Sequence, residues 1–215
     1  MKVKLCGIKR PEDVSYMNEF KPDYVGFVFA GTKRRVSPEA AALLAEKLNP
    51  KIRKVGVFVD EEPEIVRFAA RLIGLHAVQL HGAENTQYIE QLRSALPGVK
   101  IWKAVRVKNE ESILSALHLP ADRFLFDSFS PTEQGGTGIP VNLELIQKSG
   151  FNKPFFLAGG LNSKNIPGII EKIRPYGVDI SSGIETDGVK DPKKIEAVMR
   201  ILRSTEIEER WEHNE

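Results

Sequence analysis

The residues with chemistry to offer fall in a few short stretches. Cys6 is the only cysteine and stands in Lys4-Leu5-Cys6-Gly7. A thiol near backbone N–H groups or cations can ionise and act as a base, but a lone cysteine is more often a small buried hydrophobe. Asp127 ends the apolar run Phe124-Leu125-Phe126. A carboxyl in so apolar a setting favours its protonated form and suits a general acid; the structural alternative is a helix cap or an arginine partner. Lys33-Arg34-Arg35 is either a solvated charge run or, on an active-site loop, an arginine fork for a carboxylate. Two glycine-bearing turns, Ala158-Gly159-Gly160 and Ser181-Ser182-Gly183, leave backbone N–H groups open to an anion such as phosphate. His81 and Arg106 are further polar candidates, and Gln134-Gly135-Gly136-Thr137-Gly138 suits a mobile cover or a plain flexible loop. That loop lacks the Gly-Lys-Ser/Thr of a P-loop. One candidate histidine and no carboxylate cluster give no basis for a metal site.

These residues must be held by something regular. Short runs rich in Val, Ile and Phe recur at Val3–Gly7, Tyr24–Phe29, Lys54–Val59, Ala77–His81, Lys100–Val107, Arg123–Asp127, Phe155–Gly160 and Gly177–Ser182. Amphipathic stretches separate them, at 11–19, 37–48, 62–72, 86–96, 110–117, 143–149, 163–174 and 192–203. Ser37-Pro38-Glu39 puts a cap, a first-turn proline and an early acid in the right order for a helix start. Strands alternating with helices imply parallel pairing. Eight such units in about 200 residues predict a single-domain α/β fold, an eight-stranded (β/α)8 TIM barrel. An open doubly wound sheet usually has fewer strands at this length, and its G-x-G-x-x-G fingerprint is missing after the first strand.

A parallel barrel carries its chemistry at the C-terminal strand ends. Cys6, the loop with Arg34, His81, Arg106, Asp127, Gly159-Gly160 and Ser182-Gly183 all fall there. The turns after strands seven and eight are the usual phosphate site of this fold.

Composition narrows the setting. In 215 residues, 31 Lys and Arg face 29 Asp and Glu, a net charge of +2, which gives no support for a nucleic-acid or membrane partner. A single cysteine excludes an internal disulfide and multi-cysteine zinc patterns. The start has no apolar run of signal-peptide length, so the expected location is cytoplasmic. The sequence divides into a catalytic domain over 1–205 and an acidic tail over 206–215, whose five acids and one Arg read as a solvated end or an extension of the last helix.

Seven ordered motifs give a specific resemblance. Lys4-Leu5-Cys6-Gly7-Ile8, Gly26-Phe27-Val28-Phe29 with Lys33-Arg34-Arg35-Val36-Ser37-Pro38, and Gly56-Val57-Phe58-Val59 are the first three. Val78-Gln79-Leu80-His81-Gly82, Asp127 with Gly135-Gly136-Thr137-Gly138, Leu157-Ala158-Gly159-Gly160-Leu161 and Val178-Asp179-Ile180-Ser181-Ser182-Gly183-Ile184-Glu185 complete the set. Over about residues 2–203 the chain resembles phosphoribosylanthranilate isomerase. The resemblance implies a cofactor-independent Amadori rearrangement of N-(5′-phosphoribosyl)anthranilate in tryptophan biosynthesis. It also implies a small-molecule phosphosugar-anthranilate substrate and a monomer or homodimer. By the same resemblance Cys6 is the general base, Asp127 the general acid and Arg34 the partner of the anthranilate carboxylate. Gly159, Gly160, Ser182 and Gly183 map to the phosphate site, with His81 as a further substrate contact. Arg35 stands where the family often has an aromatic residue. Val141-Asn142-Leu143 replaces a frequent Phe-Asp-Trp, which puts the helix start after strand six in doubt. A ribulose-phosphate epimerase would need more metal-ligand residues at strand ends, and an indole-glycerol-phosphate synthase would need lysines there. A non-catalytic sugar-phosphate binder would not need the acid–base pair.

Overall fold

Each apolar run forms a strand in the computed structural model, which describes residues 1–128 and 142–212, with 205–212 described by backbone alone. The strands are β1 (Lys2–Cys6), β2 (Tyr24–Val28), β3 (Arg53–Phe58), β4 (Ala77–Leu80), β5 (Lys100–Val107), β6 (Arg123–Ser128), β7 (Phe155–Leu157) and β8 (Gly177–Ile180). They pair in parallel in chain order, and β8 returns to β1 through the register Lys4↔Asp179, so the sheet is a closed barrel. The open-sheet alternative is thereby removed.

The helices are α1 (Pro11–Phe20), α2 (Pro38–Glu46), α3 (Pro63–Ile73), α4 (Thr86–Ala95), α5 (Glu110–Leu114), α6 (Leu143–Lys148), α7 (Ile166–Lys172) and α8 (Pro192–Glu212). Proline occupies the first turn of α1, α2 and α3, where its missing N–H costs nothing. Ser37 caps α2 by accepting from the Ala40 N–H. Asn142 caps α6 by accepting from the N–H groups of Glu144 and Leu145, so the departure from the family's pattern there still supplies a helix start. The last helix runs through position 205 to Glu212. Among the described residues no helix is long and apolar enough to cross a membrane.

Side chains alternate across each strand, and the alternation builds both the core and the site. Tyr24, Val55, Ala77, Trp102, Ala104, Leu125, Phe156 and Ala158 pack inside the barrel. Trp102 stacks on Phe156 with ring centroids 4.8 Å apart, and Tyr24 meets Trp102 edge-on at 5.0 Å. A larger apolar cluster fills the space between barrel and helices. Each large side chain so buried stabilises the fold by roughly 1.5–3 kcal/mol. Two residues beyond Val55, Ala77, Ala104 and Leu125 stand Val57, Gln79, Arg106 and Asp127, and the last three put polar groups at the top of a dry interior.

Two differences from the sequence reading bear on the site. β7 and β8 stop at Leu157 and Ile180, sooner than their apolar runs suggested. At the end of β7 the chain turns out of the ladder, because Gly159 and Gly160 take left-handed φ values of 85° and 63°. After β8 it forms a single 3-10 turn, Ser182–Ile184, and then a small antiparallel hairpin, β9 (Glu185–Thr186) and β10 (Val189–Lys190). Asp187 and Gly188 both have positive φ (51° and 75°), as a type I′ turn requires.

Candidate active site

The inward-facing strand ends enclose a cavity of about 360 Å³ at the C-terminal mouth of the barrel. Its walls include Cys6, Val28, Val57, Val59, Gln79, His81, Arg106, Asp127, Asp179 and Ser181, together with the loop 30–34 and the turn 158–161. Thus Cys6, Arg34, His81, Asp127, Gly159, Gly160 and Ser182 share one space. Gly183 stands just behind it: a Cβ there would lie 1.8 Å from the Leu161 carbonyl oxygen, so glycine is what lets the turns after β7 and β8 touch. The loop with Gly135, Gly136 and Gly138 lies outside the described residues.

Cys6 is buried at the end of β1. Gly26 on β2 makes room for it, since a Cβ at Gly26 would fall 2.5 Å from the sulfur. Burial pushes the Cys6 thiol above its ordinary value; Asp179 adds to the rise, while the Lys4 and Lys190 ammonium groups pull the other way. Lys4 Nζ is 2.7 Å from Asp179 Oδ2, inside the barrel. Lys190 Nζ donates to Glu185 Oε1 at 2.7 Å and to the Ser181 carbonyl at 3.1 Å. Burial pushes the Lys190 ammonium below its ordinary value, against Glu185.

Arg34 completes this network. Its Nε and Nη2 donate to the two oxygens of Glu185 at 2.8 and 2.7 Å, a bidentate pair. Burial would raise the Glu185 carboxyl, but its bonds from Arg34 and Lys190 prevail and hold it down to about 2. The arginine that the resemblance assigns to a substrate carboxylate is therefore already fixed by a protein carboxylate. That fixing orients the guanidinium at the cavity rim.

The opposite wall is thinly bonded. Asp127 Oδ1 accepts from the Ser128 N–H at 2.8 Å. His81 Nε2 lies 3.4 Å from Asp127 Oδ2, within ion-pair range but outside hydrogen-bonding geometry. The Gln79 amide nitrogen sits 3.4 Å from His81 Nδ1; donation there puts the ring proton on Nε2, facing Asp127. The sequence reading made His81 a substrate contact, and its place beside the acid is a second property of the same residue.

The turn after β7 is braced for close approach. A Cβ at Gly159 would lie 2.8 Å from the Ser128 nitrogen, so the turn presses directly on the end of β6. The Asn162 and Asn165 side chains both donate to the Gly160 carbonyl, at 3.1 and 2.9 Å, and fix the peptide behind the cavity. These asparagines also delay α7 to Ile166, where the sequence suggested Ser163.

Sequence reasoning missed Lys4, Asp179, Glu185 and Lys190. Lys4 and Asp179 were inside quoted motifs, and a charged residue in an apolar strand was the available signal. The Asp187-Gly188 pair was a hairpin signal that would have brought Glu185 to Lys190.

Comparison with known proteins agrees with this geometry. Residues 3–200 match the family model for N-(5′-phosphoribosyl)anthranilate isomerase. An isomerase of that name from Clostridium acetobutylicum is 45% identical over 206 residues, covering 94% of this chain and 98% of the relative. Among solved structures, monomers generated from the dimeric enzyme of Thermotoga maritima superimpose with a TM-score of 0.82 at 35% identity, covering 95% of this chain and 99% of that one. A phosphoribosylanthranilate isomerase in complex with reduced 1-(o-carboxyphenylamino)-1-deoxyribulose 5-phosphate gives a TM-score of 0.78 at 36% identity, covering 93% and 97%. The chain belongs to the N-(5′-phosphoribosyl)anthranilate isomerase family.

Proposed function

We propose that this isomerase converts N-(5′-phosphoribosyl)anthranilate to 1-(2-carboxyphenylamino)-1-deoxyribulose 5-phosphate in tryptophan biosynthesis, with Cys6 as general base and Asp127 as general acid. One observation carries the reading. Going round the barrel from β6 to β1, the acid, the two glycine turns and the base line a single cavity. A phosphate held by backbone N–H groups of Gly159, Gly160, Ser182 and Gly183 leaves the reacting sugar between Asp127 and Cys6. The aromatic ring then extends toward Val28, Val57 and Val59, with Arg34 at the rim for its carboxylate.

The chemistry needs only proton movement. Asp127 gives a proton to the ribose ring oxygen as its bond to C1′ breaks, and the nitrogen lone pair forms the iminium. That cation acidifies the C2′–H. The Cys6 thiolate takes this proton, and the bonding electrons flow toward nitrogen to give an enol. The enol hydroxyl loses its proton as C1′ gains one, which gives the ketone, so product and substrate contain the same atoms. His81 Nε2, 3.4 Å from Asp127 Oδ2, faces the acid from the end of β4.

All these residues come from one chain, so monomer and homodimer both accommodate the site. The catalytic unit is 1–205, and a chain cut after Thr205 should keep its turnover. The deciding experiment follows the fluorescence of the anthranilate substrate. Turnover by the purified protein is expected, and a folded protein without turnover would instead be a sugar-phosphate binder.

A further inference from the structure

The mechanism above uses a buried thiol as a base, yet leaves a fully buried cation beside it without a task. Lys4 has no solvent exposure, and its ammonium is 2.7 Å from Asp179 Oδ2. A buried ion pair of this kind is poor evidence for stability, because desolvation commonly cancels the attraction. Its place suggests another use. Lys4 and Cys6 are two residues apart on β1 and share its inward face, both buried, and Lys4 lies opposite Asp179 in the β1–β8 register, so the ammonium and the thiol stand on one wall of the barrel. We propose that Lys4, anchored by Asp179 across the β1–β8 seam, is a positioning residue whose ammonium steadies the thiolate of Cys6. This rests on the reading of Cys6 as the base.

The charges around the sulfur support the assignment. Lys4 faces it from β1, Asp179 from β8 and Lys190 from β10; β2 contributes only the uncharged Gly26. Arg34 and Glu185 form the next layer, through Lys190. Three basic groups thus stand against two carboxylates, and a thiolate makes the cluster neutral. Burial resists ionisation of the thiol, and Lys4 is the larger of the two cationic influences that oppose it. Lys190 is further divided between Glu185 and the Ser181 carbonyl. On ionisation the thiol proton leaves to solvent through the cavity mouth, and Lys4 keeps its own protons. Asp179 holds the lysine through one oxygen; the other, Oδ1, is buried without a partner among the described residues. The anchor therefore has room to shift as the sulfur gains or loses charge.

Because Cys6 is the only cysteine, its ionisation can be read directly. In the wild-type protein the side-chain NMR resonance of Lys4 should move with the same midpoint as the ultraviolet absorbance of the thiolate, and that step should vanish in Cys6→Ser. A Lys4 resonance indifferent to the thiol overturns the proposal. Alkylation of Cys6 by iodoacetamide at about pH 8 should be at least about tenfold slower in Lys4→Met, which leaves Asp179 to oppose the thiolate, with Lys4→Arg keeping most of the wild-type rate. An unchanged alkylation profile in folded Lys4→Met also overturns it; if that variant does not fold, the resonance measurement decides alone. Neither readout depends on turnover. Retained activity in Cys6→Ala would sink the base assignment separately.

Discussion

The two walls of the cavity are built on different plans. The β1–β8 wall, with its hairpin, ties Lys4, Asp179, Lys190, Glu185 and Arg34 into close pairs between 2.7 and 2.8 Å around Cys6. The β4–β6 wall holds Asp127 with one short backbone bond, and Gln79 Oε1, His81 Nε2 and Ser128 Oγ have no hydrogen-bond partner among the described residues. In the proposed mechanism the Cys6 thiol must ionise inside the barrel, which calls for counter-charges already in place. The proposed acid, Asp127, must deliver its proton to a bound sugar, and fewer bonds from the described residues hold it. Among the described residues, the close ion pairs around the cavity mouth gather on the side of Cys6.

The largest effects should come from removing the two groups themselves. Cys6→Ala and Asp127→Asn should each lower kcat by about 10²–10⁴-fold in the fluorescence assay. Stability should respond little, and unchanged turnover in either variant removes that residue's role. Gly26→Ala breaks the dense wall from below: its Cβ would strike the sulfur at 2.5 Å, with the Cys6 backbone only 3.2 Å away. Such overpacking should cost about 1–3 kcal/mol in urea unfolding, together with a fall in kcat. A matching substitution on the thin wall, Gln79→Ala, should cost less in stability.

The contrast also explains what the sequence made legible. Strand order and the residues at strand ends were readable because eight apolar runs alternate with amphipathic stretches and a parallel barrel gathers its chemistry where those runs end. Cys6, Arg34, His81, Asp127, Gly159, Gly160 and Ser182 reach the cavity for that reason. The pairing partners were not readable. Lys4 meets Asp179 only because β8 closes on β1 with one register, a contact 175 positions apart in the chain. Glu185 reaches Arg34 only because a hairpin turns it back over the mouth. Strand ends yielded where chemistry sits; barrel closure decides which charges neutralise one another.

The dense wall should carry a pH signature. Glu185 is held at about 2 in the fold against an ordinary 4.5. A depressed carboxyl contributes stability that is present above about pH 4.5 and is lost as pH falls through about 2. Because water reaches the cavity mouth, the contribution is of order 2 kcal/mol. Urea unfolding should show Glu185→Gln weaker than wild type by about this much at pH 7, with the gap closing toward pH 2. A gap that persists unchanged to pH 2 would mean that packing, not charge, holds the carboxylate.

The smallest effect should separate the two arginines of the mouth. Arg34 is tied to Glu185, whereas Arg106 projects from β5 beside Asp127 with no partner among the described residues. Arg34→Ala leaves Glu185 with Lys190 alone, so it should lower stability as well as raise KM. Arg106→Ala removes a cation that nothing in the wall depends on, and its unfolding free energy should stay within about 0.5 kcal/mol of wild type. If its guanidinium helps draw a substrate that carries both a phosphate and a carboxylate, KM should rise a fewfold and the rise should shrink at high salt. A stability loss in Arg106→Ala as large as that in Arg34→Ala would erase the distinction between a braced wall and an open one.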